Sequence, residues 1–307
     1  MGRYIARRLL LTIPVLIGST FLIFAMVYAL PGDPIASLVG DRRISPAVVA
    51  ELERRYNLND PLLVQYGKYV GGLVQGDLGT DFAGRPVSGT VSERFPVTLR
   101  LAVVAILFEA VIGLFAGILS GIRKGSFFDN LVLVSTIFVV SIPVFVLAFV
   151  SQITLGLELG LFPISGISEG WYSYLLPGFV LASLSIAYVA RLTRTSLVEN
   201  LRNDYVRTAK AKGLPNRTVV GKHTMRNSLI PVVTFLGADF GALLSGAIVT
   251  EGIFNLPGLG RTVYQAVESG EGAVVVGIVT LFIFFYIFFN LVVDVLYAAL
   301  DPRIRYE

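Results

Sequence analysis

Gly221 and Lys222 are the nearest approach in this chain to a phosphate-binding loop, the kind of site that binds ATP. A working loop needs an earlier glycine where this chain has Asn216, and a serine or threonine to hold magnesium where it has His223. The sequence therefore predicts no nucleotide site. It also shows no nucleophile elbow and no metal-spaced histidine pair, because it holds one histidine and no cysteine. We expect no catalytic residue, no metal site and no cofactor bound to this chain.

A basic segment from Asp204 to Asn227, between two strongly apolar stretches, carries the main candidate functional residues. Good helix formers from Val206 to Lys212 predict a short cationic helix. Gly213, which can adopt the left-handed conformation, predicts its C-terminal cap, and Pro215 predicts the start of a second short helix. Such a loop is suited to being held by another protein. A solvated basic loop, kept there only by the charge rule for membrane proteins, is the alternative.

The chain as a whole is too apolar for a water-soluble domain of its length. Of its 307 residues, 54% are hydrophobic and 15% are charged, and the mean hydropathy is +0.74. Runs long enough to cross a bilayer core of about 30 Å lie at roughly 9–30, 99–121, 131–156, 175–190, 229–250 and 273–298. We predict an all-α polytopic membrane protein with six transmembrane helices, in contact with membrane lipid. The net charge of +4 does not indicate nucleic-acid binding, because most of the chain consists of apolar spans.

Lysine and arginine are concentrated in alternate connecting segments. Residues 1–8, 122–129, 191–228 and 299–307 hold 3, 2, 9 and 2 of them, against 0 in 157–174 and 1 in 251–272. The positive-inside rule then predicts cytoplasmic N- and C-termini. The first apolar run is too long for a cleaved signal peptide and is expected to stay as an anchor. The predicted parts are 1–30, the N-terminus and first span; 31–97, an extracytoplasmic domain; and 98–307, the remaining spans with the loop 191–228.

Local signals predict two helices in the extracytoplasmic domain, packed by their apolar faces on the spans. Ser45 with Pro46, and Asp60 with Pro61, each resemble an N-cap followed by a first-turn proline. Gly76 is expected just past the second helix, and 76–89 is expected to be a loop.

Small residues at every fourth position predict close helix contacts on two spans. The second span carries Gly113, Gly117 and Gly121, and the fifth carries Gly237, Gly241 and Ser245. These faces could meet helices of this chain or of a partner. Pro143 predicts a kink in the third span.

Short strings along the whole chain match one family in order: Arg7-Arg8-Leu9, Ile13-Pro14, Leu30-Pro31-Gly32-Asp33-Pro34, Gly76-Asp77-Leu78-Gly79, Tyr205-Val206-Arg207-Thr208-Ala209, Ala211-Lys212-Gly213, His223, Arg226-Asn227, Glu251-Gly252-Ile253-Phe254, Pro257-Gly258-Leu259-Gly260, Asn290-Leu291, Asp294, Tyr297 and Asp301-Pro302-Arg303. With them the chain resembles the permease subunits of binding-protein-dependent ABC importers, in the oligopeptide and dipeptide branch. The resemblance implies the MetI-like permease fold and a place in a bacterial or archaeal cytoplasmic membrane.

The same resemblance assigns roles to residues of the basic loop. A short helix would sit in a cleft of an ATP-hydrolysing subunit, with Ala209 and Ala211 allowing close approach, and it comprises Tyr205, Val206, Arg207, Thr208, Ala209, Lys210, Ala211, Lys212 and Gly213. The loop would be supported by His223, Arg226 and Asn227. The implied partners are a second homologous permease, two ATP-binding subunits that carry ATP and magnesium, and an extracytoplasmic substrate-binding protein.

Three acidic residues, Glu109, Asp239 and Asp294, fall in or near spans. An ionised side chain there costs roughly 2.5–3.5 kcal/mol, so it normally faces a cavity or a partner. Asp239, with Glu109 second, is predicted to line the translocation pathway, where it could meet a peptide amino terminus or a metal cation. A structural, hydrogen-bonded carboxylate is an equal alternative. Asp294 is predicted to be structural.

The turn between spans five and six, with Phe254, Pro257 and Gly258, is expected to gate the pathway or dock the binding protein, although a simple turn would also explain these residues. The resemblance implies import of dipeptides or oligopeptides by alternating access, with nickel or glutathione as alternative cargo. A secondary transporter would show paired, interrupted spans in two halves, and a membrane enzyme would need a catalytic group; neither pattern is visible in the sequence.

Overall fold

A computed structural model describes residues 2–29 and 45–300 of the chain. These ranges fold into helices α1 (Gly2–Tyr28), α2 (Pro46–Arg55), α3 (Leu62–Val74), α4 (Val87–Ile122), α5 (Phe127–Ser141), α6 (Val144–Glu158), α7 (Leu175–Asn200), α8 (Asp204–Ala211), α9 (Met225–Ile253), α10 (Leu259–Glu268) and α11 (Gly272–Leu300). A short helix Asn216–Thr218 and a π-helical segment Val219–Thr224 lead directly into α9. The strings at 30–34 and 301–303, and residues 31–44 of the predicted outer domain, lie outside the described residues.

Long apolar helices confirm the predicted spans. Helices α1, α4, α7, α9 and α11 are each long and apolar enough to cross a membrane. Helices α5 and α6 pass the same test only as a pair, which is bent by 100°, and the chain has six spans when this pair is counted as one. The break falls at Pro143, whose ring removes a backbone N–H and interrupts the helix, so the predicted kink is confirmed as a sharp bend.

Two helices extend well beyond their predicted spans. Helix α4 begins at Val87 rather than near residue 99, and α7 continues to Asn200 rather than ending near residue 190. Hydropathy locates only the apolar part of a helix. The added turns carry charged residues such as Arg94 and Arg194, which end an apolar run without ending the helix.

The bundle has two ends, which we call the loop end and the opposite end. Residues 201–224 lie at the loop end, whereas residues 45–86 and 254–271 lie at the opposite end. Arg8 near the start of α1 forms an ion pair with Asp294 near the end of α11, at 3.1 Å. The first and last helices therefore begin and finish at the loop end, and the pair gives Asp294 the structural role expected of it.

The predicted glycine contacts are contacts within this chain. On α4, a Cβ added to Gly113 would lie 2.7 Å from Val189 of α7, and one added to Gly117 would lie 2.5 Å from the Ala190 carbonyl oxygen. On α9, a Cβ at Gly241 would lie 3.0 Å from the backbone of Tyr286 in α11. Real side chains do not fit at such distances, so glycine allows α4 to pack on α7 and α9 on α11.

The segment between α1 and α4 packs on the bundle through tyrosines. Tyr66 of α3 donates a hydrogen bond to the Ile17 carbonyl at 3.0 Å, and Tyr69 donates one to Thr280 of α11 at 2.8 Å. The amphipathic face of α3 thus meets spans one and six, as predicted. Burial raises the pKa of Tyr69, and the hydrogen bond to Thr280 partly opposes this shift.

One predicted helix cap is wrong. Helix α2 begins at Pro46, directly after Ser45, but α3 begins at Leu62 with Pro61 as its N-cap residue. Asp60 instead binds Lys68 at 2.5 Å, because the long lysine side chain reaches back over the turn. Gly76 has a φ of +81° just after α3, as predicted. The loop expected over 76–89 ends earlier, at Pro86, and Gly89 is already helical.

Candidate functional site: the basic loop and the bundle it joins

Helix α8, the candidate coupling helix, is closed at its C-terminus by local structure. It spans Asp204–Ala211, follows Asn203 in an extended conformation, and stops at Lys212. Gly213 adopts a φ of +76°, and its N–H donates to the Lys210 carbonyl at 2.9 Å. This left-handed glycine satisfies carbonyl groups at the helix C-terminus, as the sequence predicted.

One face of α8 is buried against its own chain. Val206 and Ala209 are 1% and 7% exposed and pack against Val219, which is fully buried in the π-helical segment before α9. Tyr205 donates a hydrogen bond from its hydroxyl to Asn200, at the end of α7, at 2.9 Å. Ala209 therefore points inward rather than toward a partner as expected, because positions three apart share one face of a helix. This packing fastens α8 to α7 and α9.

The other face of α8 is exposed and cationic. It carries Arg207, Thr208, Lys210, Ala211 and Lys212. Arg207 approaches Asp204 at 3.5 Å, but both side chains are largely exposed, so this pair adds little stability. The small side chains of Thr208 and Ala211 and the three cations favour close contact with an acidic surface.

The residues expected to support the loop follow α8 closely. Pro215 has extended backbone angles and is the N-cap residue of the helix that starts at Asn216, as predicted. His223 lies in the π-helical segment, and Arg226 and Asn227 lie in the first turn of α9; all three are exposed. They extend the exposed basic surface of α8 toward the bundle.

A buried ion pair holds α5 to α7 at the loop end. Asp129 is 1% exposed and accepts hydrogen bonds from Arg194 Nε and Nη2 at 2.6 and 2.8 Å. It also accepts from the Ser120 hydroxyl and from the Gly125 N–H, the latter at 2.8 Å. The pair thus fixes the turn between α4 and α5 against the helix that leads into the basic loop. The sequence does not predict this pair, because no local pattern links residues so far apart.

Two acidic groups from α4 and α9 meet inside the bundle. Glu109 is fully buried at the start of the π-helical segment 109–113 of α4. Its carboxyl interacts electrostatically with Asp239 of α9, and neither of its oxygens accepts a hydrogen bond from the described residues. Asp239 itself accepts a hydrogen bond from Ser185 of α7 at 2.7 Å. The structure therefore brings together the two residues predicted for the pathway, and adds Ser185 to them.

The turn at the opposite end is more deeply packed than its sequence suggested. Phe254 is 1% exposed, and its carbonyl accepts from the Gly166 N–H at 2.9 Å. Gly258 is buried and Pro257 is half-buried. A docking role at this turn is therefore open to Pro257 and to exposed residues of α10, but not to the Phe254 ring.

A polar cavity of about 170 Å³ lies beside this turn. Asp81 and Arg85 form an ion pair there at 2.7 Å, and Arg94 donates to the Thr262 hydroxyl at 2.8 Å. Burial raises the pKa of Glu271 at its edge; the nearby Asp81 raises it further, and Arg85 opposes both. The opposite end thus presents mixed charges, unlike the cationic loop end.

A bundle of six spans, with carboxyl groups at its centre and a capped cationic helix exposed at one end, defines a multi-span membrane permease subunit. The chain belongs to the family described as the binding-protein-dependent transport system inner membrane component, whose model matches residues 113–306. The N-terminal model of the same transport systems matches residues 1–102.

Individual relatives match over their whole length. The chain is 38% identical over 334 residues to the dipeptide transport system permease protein DppB of Alkalihalophilus pseudofirmus, covering 100% of both chains. It is 39% identical over 308 residues to the glutathione transport system permease protein GsiC of Escherichia coli, again covering 100% of both. Among solved structures, an inward-facing MetNI methionine ABC transporter chain matches 70% of this chain and 97% of its own, with a TM-score of 0.58 and 19% identity. That likeness supports the MetI-like permease fold.

Proposed function

We propose that this chain is the transmembrane permease subunit of an ATP-driven importer that carries dipeptides or oligopeptides across the cytoplasmic membrane. Full-length similarity to dipeptide permeases supports the cargo class. The observation that carries the mechanism is α8, a capped cationic helix that is packed through Val206 and Ala209 onto the segment leading into α9. A force applied to α8 would reach the spans directly.

The partners follow from this function. Two ATP-binding subunits hold ATP and magnesium and receive α8, a second homologous permease completes the pathway, and an extracytoplasmic binding protein delivers the peptide. This chain itself contributes no catalytic residue and no cofactor. The loop end then faces the cytoplasm, in agreement with its lysine and arginine content, and residues 45–86 and 254–271 face outward.

Transport in this scheme is alternating access. The loaded binding protein docks at the opposite end, near Pro257 and the polar cavity beside α10. ATP then closes the two ATPase subunits, and their movement is transmitted through α8 to α7 and α9. The bundle opens first to the binding protein and then to the cytoplasm, so that the peptide moves inward.

Glutathione is the second candidate cargo. Relatives named for glutathione transport match as well as those named for dipeptide transport, and glutathione is itself a small peptide. Recognition by the separate binding protein decides between such similar cargoes, whereas the permease accepts what is delivered.

Uptake by intact cells tests the proposed function. Cells that lack this chain are expected to lose uptake of labelled dipeptides or of labelled glutathione, and to regain it when the chain is restored. Whichever cargo is lost identifies the substrate class. Unchanged uptake of both, in cells without a second importer for them, would contradict the proposal.

Glu109 and Asp239 are the pathway residues in this proposal. A peptide ammonium group could bind to the oxygens of Glu109, which accept no hydrogen bond from a donor in the described ranges. Ser185 would hold Asp239 in position.

Replacing either carboxyl group with an amide is expected to slow transport without disturbing assembly. Hydrogen bonds to charged groups are worth about 1.5–3 kcal/mol, so Asp239→Asn or Glu109→Gln should lower peptide uptake roughly tenfold or more. The measurement is initial uptake rate, with ATPase co-purification as the check on assembly. Glu169→Gln, at an exposed position outside the bundle, is the control. Full uptake by both variants would show that the pair is structural.

A further inference from the structure

Glu251, near the end of α9, is a buried acid that is held only by neutral donors in the part of the chain described here. The side chain is fully buried. Thr98 of α4 donates its hydroxyl to Oε1 at 2.6 Å, and the backbone N–H of Arg261 donates to Oε2 at 3.0 Å. Burying a carboxylate costs free energy unless it is well hydrogen-bonded. The two hydrogen bonds to Glu251 offset part of this cost and tie the carboxylate to its neighbours.

Glu251 and Thr98 together cap the first turn of α10. The N-cap residue of α10 is Gly258, which has no side chain to accept a hydrogen bond. Glu251 accepts the N–H of Arg261, and the Thr98 hydroxyl accepts the N–H of Leu259 at 2.8 Å. The cap of α10 is therefore supplied by two other helices, α4 and α9. A negative group at a helix N-terminus is also favoured by the helix dipole.

Glycines allow this close approach. A Cβ on Gly258 would collide with the Glu251 carboxyl, and one on Gly260 would lie 2.7 Å from the backbone of Ile248 in α9. The first turn of α10 is thus pressed against the end of α9. Because both contacts involve backbone or a buried carboxyl, α10 cannot move along α9 without breaking the cap.

The other end of the same helix carries the coupling helix. Helical structure is continuous from Asn216 through the π-helical segment to Ile253. Near its start, Val219 packs against Val206 and Ala209 of α8; near its end, Glu251 caps α10. This helix continues through Pro231 and rises about 1.5 Å per residue, so it connects α8 at the loop end with α10 at the opposite end.

We infer that Glu251 and Thr98 are positioning residues that make α10 move together with α9 and α4, so that motion received by α8 at the loop end reaches the gate at the opposite end. The inference rests on the proposed function. It adds to that function a specific connection between the ATPase contact and the outer turn. Without the cap, α9 would still move, but α10 would follow it less closely.

A single introduced thiol can report the movement, because the natural chain has no cysteine. Val267 of α10 is 62% exposed, so Val267→Cys gives the parent for the test. The intact importer, with its partners, is purified through a tag on the ATPase and reconstituted in lipid, so that only assembled complexes are measured. The readouts are the rate of labelling by a water-soluble maleimide, with and without ATP, and the ATP hydrolysis rate.

We expect ATP to change the labelling rate several-fold in the parent and equally in Thr98→Ser, which keeps the hydroxyl. In Glu251→Met, whose side chain cannot accept the Arg261 N–H, and in Thr98→Val, the ATP-dependent change should fall to less than half that of the parent while ATP hydrolysis continues. The two variants remove the cap from opposite sides. The test therefore needs only one of them to assemble with the ATPase. If Glu251 and Thr98 had only a structural role, their substitution would lower assembly or ATP hydrolysis together with the labelling response.

The inference would be overturned if an assembled cap variant showed the same ATP-dependent change in labelling rate as the parent. So would a parent thiol that ignores ATP in a complex that still imports peptide, and this result would leave the proposed function standing. Failure of any ATPase to bind the parent chain would instead remove the proposed function, and the inference with it.

Discussion

Gly213→Val is expected to weaken association with the ATPase subunits roughly tenfold or more, while the chain still inserts into the membrane. Gly213 has a φ of +76°. L-residues pay about 1–2 kcal/mol in this left-handed region, and a β-branched residue is a clear outlier there. A Cβ at Gly213 would meet no atom within 4 Å, so the effect is backbone strain and not a clash. The strain would unwind the end of α8 and misplace its exposed cations.

Two matched variants separate this effect from a general disturbance of the loop. Gly221→Val places the same side chain in the same loop, also with no atom within 4 Å, but at a helical position without positive φ. It should retain ATPase binding. Gly213→Asn should retain most of it, because asparagine tolerates the left-handed region. The measurement is co-purification of the ATPase with the tagged chain, followed by peptide uptake. Wild-type binding by Gly213→Val would show that the cap is not needed for coupling.

Much of the fold could be predicted because it depends on local pattern. Apolar runs located the spans, and glycines spaced by four located the faces at which α4 meets α7 and α9 meets α11. The capping glycine of α8 was predicted for the same reason, since its backbone conformation depends on neighbouring residues alone. The sharp bend of the third span at Pro143 followed from the missing N–H of proline.

The remainder depends on contacts between residues far apart in the sequence. The inward turn of Ala209 requires Val219 as its partner, and the burial of Phe254 requires the segment at Gly166. Asp60 pairs with Lys68 and does not cap α3, whose N-cap residue is Pro61. In each case the local signal was present, but a side chain from elsewhere decided how it was used.

The candidate site shows the same division. The sequence predicts Glu109 and Asp239 singly because acids are rare in spans, whereas only the structure shows that they are electrostatic neighbours. Glu251 lies within a string that resembles the permease family, but its role as a cap of α10 depends on Thr98, more than a hundred residues earlier in the chain. No spacing rule connects such positions, so pairs of this kind were missed.

Breaking the ion pair between Asp129 and Arg194 is expected to be strongly destabilising. Removing one partner leaves the other charge buried, which typically costs about 3–5 kcal/mol; because Arg194 is 18% exposed and can reach water, we expect about 3 kcal/mol for Asp129→Asn. Asparagine keeps the shape of the side chain but loses the charge that Nε and Nη2 of Arg194 share. The measurement is the unfolding midpoint of the purified chain in mild detergent, together with ATPase binding, since the pair holds α7 at the point where it leads into α8.

A double-mutant cycle distinguishes the pair from the sum of its members. Arg194→Gln alone should also destabilise the chain, because it leaves the Asp129 carboxylate with only Ser120 and Gly125 as donors. The double variant Asp129→Asn with Arg194→Gln should recover part of the loss, since a neutral amide pair leaves no charge buried. The exposed pair of Asp204 and Arg207 is the internal comparison, and Asp204→Asn should produce no measurable change in stability. Equal effects at the buried and exposed pairs would mean that burial does not strengthen the contact, and that α5 and α7 are held together by their apolar surfaces alone.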